Sequence, residues 1–178
     1  MALAGGIQLA LNDMVRLGGM SNLWFVIPPP TLGLRGMRLQ FPSLLITDDD
    51  HDFRETLRAV FEPRFRTLMA GDGEEALEIV RRQEVHLVLL DMHMPKLTGL
   101  ETLRQVKRFK SLLPCILLSA GLDESLIRQA QLAEAFSVLS KPISRKQLTS
   151  TVEAAMRRIY NWESDVVDRS NPPDLSGR

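Results

Sequence analysis

Residues 85–95 read VHLVLLDMHMP. The apolar residues Leu87, Val88, Leu89 and Leu90 run without interruption into a carboxylate, Asp91, and then into Met92, His93, Met94 and Pro95. A continuous apolar run of this length, as opposed to an alternating one, suits a strand buried on both faces, which is the situation of central strands in parallel sheets. Asp91 at its end has three readings. It caps the next helix, it neighbours a soft metal site built from Met-His-Met, or it is a reactive carboxylate held at the margin of a sheet.

The pattern around this stretch favours a parallel sheet. LLIT (44–47) is a first short apolar run, ending in Asp48-Asp49-Asp50. Phe53, Leu57, Val60 and Phe61 then recur at helical spacing until Pro63. RTLMA (66–70) is a second strand candidate, and VHLVLL (85–90) is the third. Asp72 and Glu75 between them have the spacing of a capping box, as do Thr98 and Glu101 after the third. Thr98 thereby has a better claim on that helix start than Asp91. CILLS (115–119) and SVLS (137–140) are the fourth and fifth strands. Asp123 starts the helix between them, and Ser144 and Gln147 start the last helix, with Leu148, Val152, Ala155, Met156 and Ile159 on one face. Strands alternating with amphipathic helices predict an α/β fold, a doubly wound parallel sheet with helices on both faces.

Three segments follow from this. Residues 1–42 carry Gly5-Gly6, Gly18-Gly19 and Pro28-Pro29-Pro30, with only a weak helical stretch around Ile7–Leu17, and read as a poorly ordered extension. Met20 and Met37 offer alternative starts within it, which mass spectrometry of the native N-terminus would test. Residues 43–160 form the domain. Residues 161–178, polar and containing Asn171-Pro172-Pro173, read as a tail with no room for a further output domain.

Composition excludes some functions. Lys+Arg and Asp+Glu are 22 each, so no global positive field attracts nucleic acid or an anionic membrane surface, and only a local basic patch is left open. Cys115 is the single cysteine, which excludes an intrachain disulfide and fits a buried apolar position in a reducing compartment. No apolar stretch is long enough for a membrane span, and the N-terminus lacks the form of a signal peptide. A cytoplasmic protein is expected.

Ligands of open parallel sheets bind beyond the carboxyl ends of the strands. The five expected strand ends deliver Asp48, Asp49 and Asp50, then Ala70 and Gly71, then Asp91, then Ser119, then Lys141. Crowded carboxylates repel, and a hard divalent cation relieves the repulsion. Mg²⁺ suits one or two carboxylates with waters and phosphate oxygens. With Lys141 it makes a cationic pocket fit for a phosphoryl group in transfer, Ser119 donating to a phosphoryl oxygen and Asp91 acting as nucleophile.

These residues carry a resemblance. LLITDDD, LVLLDMHMPKLTGLE, ILLSA and SVLSKPI, in this order over about residues 43–159, resemble the receiver domain of response regulators in two-component signalling, of the CheY-like superfamily. The resemblance implies a flavodoxin-like fold with five parallel strands in the order 2-1-3-4-5. It implies that Asp91 is the phosphoacceptor, that Asp48 and Asp49 hold Mg²⁺ with Asp49 the more direct ligand, and that His93 lends its main-chain carbonyl. Ser119 matches the switch hydroxyl, and Lys141 the lysine that pairs with the phosphoryl group, followed by Pro142 through a cis bond. The implied partners are a sensor histidine kinase or Hpt phosphodonor and a downstream protein, without direct nucleic-acid binding or membrane insertion. A stand-alone receiver of this kind is a phosphoacceptor that assists its own phosphorylation and dephosphorylation, not an enzyme.

Two positions depart from the family. Val138 stands where an aromatic or histidine is usual, with Phe136 two residues away and expected on the same face. Ile143 follows Lys-Pro where Phe is common. Val138 keeps open a second reading, a phosphorylation-independent interaction module on the same fold. Enzymes of related architecture fit worse. A dehalogenase-like phosphatase wants an acid at His93, and a nucleotide-binding fold wants a glycine-rich turn where this chain has DDDHD. Met92-His93-Met94 has too few partners for copper. His51 and His86 read as surface or boundary residues, and Arg81-Arg82 and Arg157-Arg158 as cations complementing helix C-termini.

Overall fold

The computed structural model describes residues 14–15, 23–26 and 41–162. Seven strands and five helices follow one another: β1 (Met14–Val15), β2 (Leu23–Val26), β3 (Ser43–Thr47), α1 (His51–Phe61), β4 (Arg66–Ala70), α2 (Gly73–Arg82), β5 (Leu87–Asp91), α3 (Gly99–Phe109), β6 (Cys115–Ser119), α4 (Glu124–Leu132), β7 (Ser137–Ser140) and α5 (Arg145–Tyr160). The strands form one sheet in the order β1-β2-β7-β6-β5-β3-β4. Its five parallel members, β4-β3-β5-β6-β7, have the 2-1-3-4-5 order expected for a flavodoxin-like fold.

The other two strands were not expected. They lie within the segment read as a poorly ordered extension, and they lengthen the sheet on its β7 side. β2 pairs antiparallel with β7, in the register Leu23↔Leu139, Trp24↔Val138 and Phe25↔Ser137, and β1 pairs antiparallel with β2. Of the helical stretch expected around Ile7–Leu17, Met14–Val15 is strand, and the remainder lies outside the described residues, as do both candidate alternative starts.

The continuous apolar runs have the predicted cause. β3, β5 and β6 are buried along their whole length. Successive side chains point to opposite faces and fill two separate layers. Leu45, Val88, Leu90, Leu117 and Val138 pack with residues of α2, α3 and α4. Leu44, Ile46, Leu87, Leu89, Ile116, Leu118 and Leu139 pack with α1 and α5. Phe136 belongs to the second layer and Val138 to the first, so the expectation that they share a face is wrong. Phe136 precedes β7, where strand alternation does not yet apply.

Helix starts follow the capping signals. Thr98 and Glu101 form a reciprocal box. Asp72 accepts from the Glu75 amide, but the Glu75 carboxylate reaches one residue further back, to the Gly71 N–H (2.7 Å), so the second expected box is not reciprocal. Asp123 and Ser144 cap α4 and α5. Trp162, read as the start of a tail, is buried against Phe65 with ring centroids 5.1 Å apart. Residues 163–178 lie outside the described residues. No helix among the described residues is long and apolar enough to cross a membrane.

Candidate functional site

The three acids after β3 divide the two readings of DDD between them. Asp50 is the N-cap of α1, its Oδ1 accepting from the amides of Asp52 (2.9 Å) and Phe53 (3.1 Å). Asp48 and Asp49 turn instead toward the end of β5. One carboxylate oxygen from each of Asp48, Asp49 and Asp91 lies within 4.8 Å of the others. Asp48 and Asp91 are buried and Asp49 is exposed, so the group has one open side.

Asp48 is held at every polar atom. Its Oδ1 accepts from the Asp50 amide (2.9 Å), and its carbonyl accepts from Arg54 Nη1 (2.5 Å). Its Oδ2 accepts from Lys141 Nζ (2.8 Å). Both carboxylate oxygens of Asp91 are likewise engaged. Its Oδ2 accepts from the His93 amide (2.7 Å), and its Oδ1 lies 2.6 Å from Lys141 Nζ. The ammonium thus bridges two buried carboxylates and also lies 4.4 Å from the centroid of the Phe53 ring. Burial pulls the Lys141 ammonium down, but its hydrogen bonds to Asp48 and Asp91 outweigh that and hold its pKa above the ordinary value.

The strand ends are locked to one another by main-chain bonds. The Met92 amide donates to the Leu118 carbonyl (2.8 Å) and the Lys141 amide to the Ser119 carbonyl (2.7 Å). Lys141-Pro142 is cis, as the resemblance implied. A glycine fits α3 under β5: a Cβ on Gly99 would lie 2.2 Å from the Asp91 carbonyl oxygen. Ser119 is buried at its expected strand end, but its hydroxyl turns back into its own loop, donating to the Gly121 carbonyl (2.7 Å).

The structure therefore brings together Asp48, Asp49, Asp91 and Lys141, places His93 beside them through its amide, and leaves Ser119 engaged in its own loop. Two residues that touch the site were missed from the sequence, Phe53 and Arg54. In the sequence Phe53 reads only as part of the apolar face of α1. The residues present suit a hard divalent cation, since the donors are carboxylate oxygens, clustered and open to water on one side. The Met-His-Met alternative does not survive, because Met94 is buried while His93 is exposed.

Known proteins resemble this chain in sequence and fold. A family model described as the response regulator receiver domain matches residues 44–153. Response regulator RR06 of Streptococcus pneumoniae is 34% identical over 119 residues, covering 66% of this chain and 54% of that protein. Transcriptional activator protein PfeR of Pseudomonas aeruginosa is 38% identical over 120 residues, covering 66% of this chain and 39% of that protein. The chain thus spans about half the length of these relatives or less. A solved CheX-CheY-BeF3-Mg²⁺ complex from Borrelia burgdorferi aligns with a TM-score of 0.62 and 27% identity, over 65% of this chain and 89% of that one.

Proposed function

The chain belongs to the response regulator receiver family of two-component signalling, and from that premise we propose that Asp91 accepts a phosphoryl group from a sensor histidine kinase or an Hpt-type protein. The observation that carries this reading is the contact of Lys141 Nζ with Asp91 Oδ1 at 2.6 Å, inside a cluster that also contains Asp48 and Asp49. A carboxylate oxygen of Asp91 attacks phosphorus, and the bond to the donor's nitrogen or oxygen breaks, its electron pair leaving with the donor. A Mg²⁺ held by Asp48, Asp49, Asp91 and the main-chain carbonyl of His93 would supply positive charge beside the transferring group.

The chain's own residues do the remainder. The attacking oxygen loses its negative charge on becoming an acyl phosphate, while the new phosphoryl oxygens carry more charge than it did. Lys141 then gains by turning from carboxylate to phosphoryl oxygen. The Ser119 hydroxyl, to donate to that group, exchanges its bond to the Gly121 carbonyl, and this moves the β6–α4 loop. That displacement is the signal offered to a downstream protein. Output by protein contact alone, as a stand-alone receiver, is part of this proposal.

Incubation with acetyl phosphate and Mg²⁺, read as a shift on a phosphate-affinity gel, tests the assignment. A shifted band is expected for the wild-type chain and none for Asp91→Asn. A band that persists in Asp91→Asn would refute it. The alternative, an interaction module that works without phosphorylation, is favoured if the chain neither shifts nor binds Mg²⁺.

A further inference from the structure

Lys141 has three partners in the pocket, and two of them belong to the chemistry. Asp48 Oδ2 is at 2.8 Å and Asp91 Oδ1 at 2.6 Å, both acids of the proposed metal and phosphoryl site. The third is the Phe53 ring, whose centroid is 4.4 Å from Nζ. An ammonium over an aromatic face at this distance is attracted by the ring quadrupole. The ring itself is firmly placed. Its backbone amide donates to the cap residue Asp50 (3.1 Å), and its side chain packs partly buried against the layer formed with α1 and α5.

We propose that Phe53 is a positioning residue for Lys141, holding the ammonium at the mouth of the pocket while its anionic partners change. The proposal rests on the reading of Asp91 as phosphoacceptor. Each carboxylate partner of Lys141 has a second claim on it, from a divalent cation or from phosphorus. The ring has none: it neither titrates nor coordinates nor accepts a phosphoryl group. Of these three contacts it is the one for which neither a cation nor a phosphoryl group competes. A lysine stem has four rotatable carbons, and that contact limits where the head group can go while it exchanges a carboxylate for a phosphoryl oxygen. The third acid of the DDD run enters here too. Asp50 is not at the pocket, but by capping α1 at the Phe53 amide it fixes where the ring stands.

The test separates the ring's quadrupole from its bulk. Phe53→Leu and Phe53→Met keep an apolar side chain without a π face, and Phe53→Tyr keeps the face. In the unphosphorylated, metal-free wild type, NMR should show the Lys141 ε-methylene protons shifted upfield by the ring current. The shift is expected to vanish in F53L and F53M and to remain in F53Y. The rate of Asp91 phosphorylation by acetyl phosphate with Mg²⁺ should fall about three- to tenfold in F53L and F53M and recover in F53Y. An unshifted Lys141 in the wild type, or ring-less variants phosphorylated at the wild-type rate, would overturn the proposal. A wild-type chain that takes no phosphoryl group would instead sink the Asp91 reading, with the ring-current shift still reporting the contact.

Discussion

Lys141 Nζ stands between Asp48 Oδ2 and Asp91 Oδ1, joining the ends of β3 and β5 through one charge. Removing it leaves two buried carboxylates facing each other without a cation. Lys141→Met should therefore cost about 1–3 kcal/mol in Mg²⁺-free buffer, less than the loss of one member of a fully buried ion pair because the lysine is partly exposed. Millimolar Mg²⁺ should restore more stability to the variant than to the wild type, because a divalent cation replaces the missing charge. Urea unfolding with and without Mg²⁺ measures both. Equal gains from Mg²⁺ in the two proteins would contradict the idea that Lys141 offsets the charge that the cation neutralises. The same bridge has a pH signature. The Lys141 pKa is raised above 10.5, so its stabilisation is complete below pH 10.5 and is lost as pH rises through the folded value.

His86 supplies a second pH dependence, at the opposite end of the sheet. Its Nδ1 accepts from the Ser43 amide (3.0 Å), and its own amide donates to the Ser43 carbonyl (2.9 Å), so the ring replaces a sheet hydrogen bond where β3 begins. Burial pushes its pKa below 6.5, partly opposed by Glu84 and aided by Lys110. Only the neutral ring can accept at Nδ1. The contribution is thus full above pH 6.5 and is lost as pH falls from there through the folded value. His86→Leu should cost about 1–3 kcal/mol at pH 7.5, by orphaning the Ser43 N–H, and the gap to wild type should narrow by pH 5. Chemical denaturation at the two pH values checks this, and a gap that stays constant would contradict it.

Gly99 and Gly121 form a paired test of how tightly the β5 end is built. A Cβ on Gly99 meets Asp91 main-chain atoms at 2.2 and 2.9 Å, whereas one on Gly121 meets nothing within 4 Å. Gly99→Ala should cost about 1–3 kcal/mol, because backbone and not a flexible side chain must give way. It should also slow phosphorylation of Asp91 by displacing it. Gly121→Ala should be tolerated with less than about 1 kcal/mol of change, as an open surface position is. Thermal melts and acetyl-phosphate labelling of the two variants suffice, and a Gly99→Ala protein with wild-type behaviour would mean that β5 and α3 separate readily.

The parallel core was legible because its signals are local. Apolar runs such as Leu87–Leu90 mark strands buried on two faces, and Thr98 with Glu101 marks a helix start, within a few residues of sequence. The acids and Lys141 were legible because strand ends share one edge of such a sheet. What escaped depends on partners far along the chain. His86 reads as a surface or boundary residue and is buried, because Ser43, 43 positions away, needs its ring nitrogen. Phe53 reads as one more apolar helix residue until Lys141, from the far side of the sheet, is placed over it. Trp162 follows the last helix and looks like tail, yet its burial depends on Phe65. β1 and β2 escaped for a related reason. Glycine and proline around them obscure any period, and their pairing comes from elsewhere: β7 makes β2 a strand, and β2 in turn pairs with β1.

That pairing has a consequence for whatever meets the protein along β7. The outer strand of a sheet offers unpaired amides and carbonyls on which another extended chain can be templated. Here the chain has already templated itself: β2 occupies that side of β7, and among the described residues β1 is the outermost strand there. Any extended segment from elsewhere that would join at β7 must compete with a strand tethered to the same molecule. Its apparent affinity is divided down by the fraction of time that β2 is away, so a mutation loosening β2 would strengthen such binding without touching the surface bound.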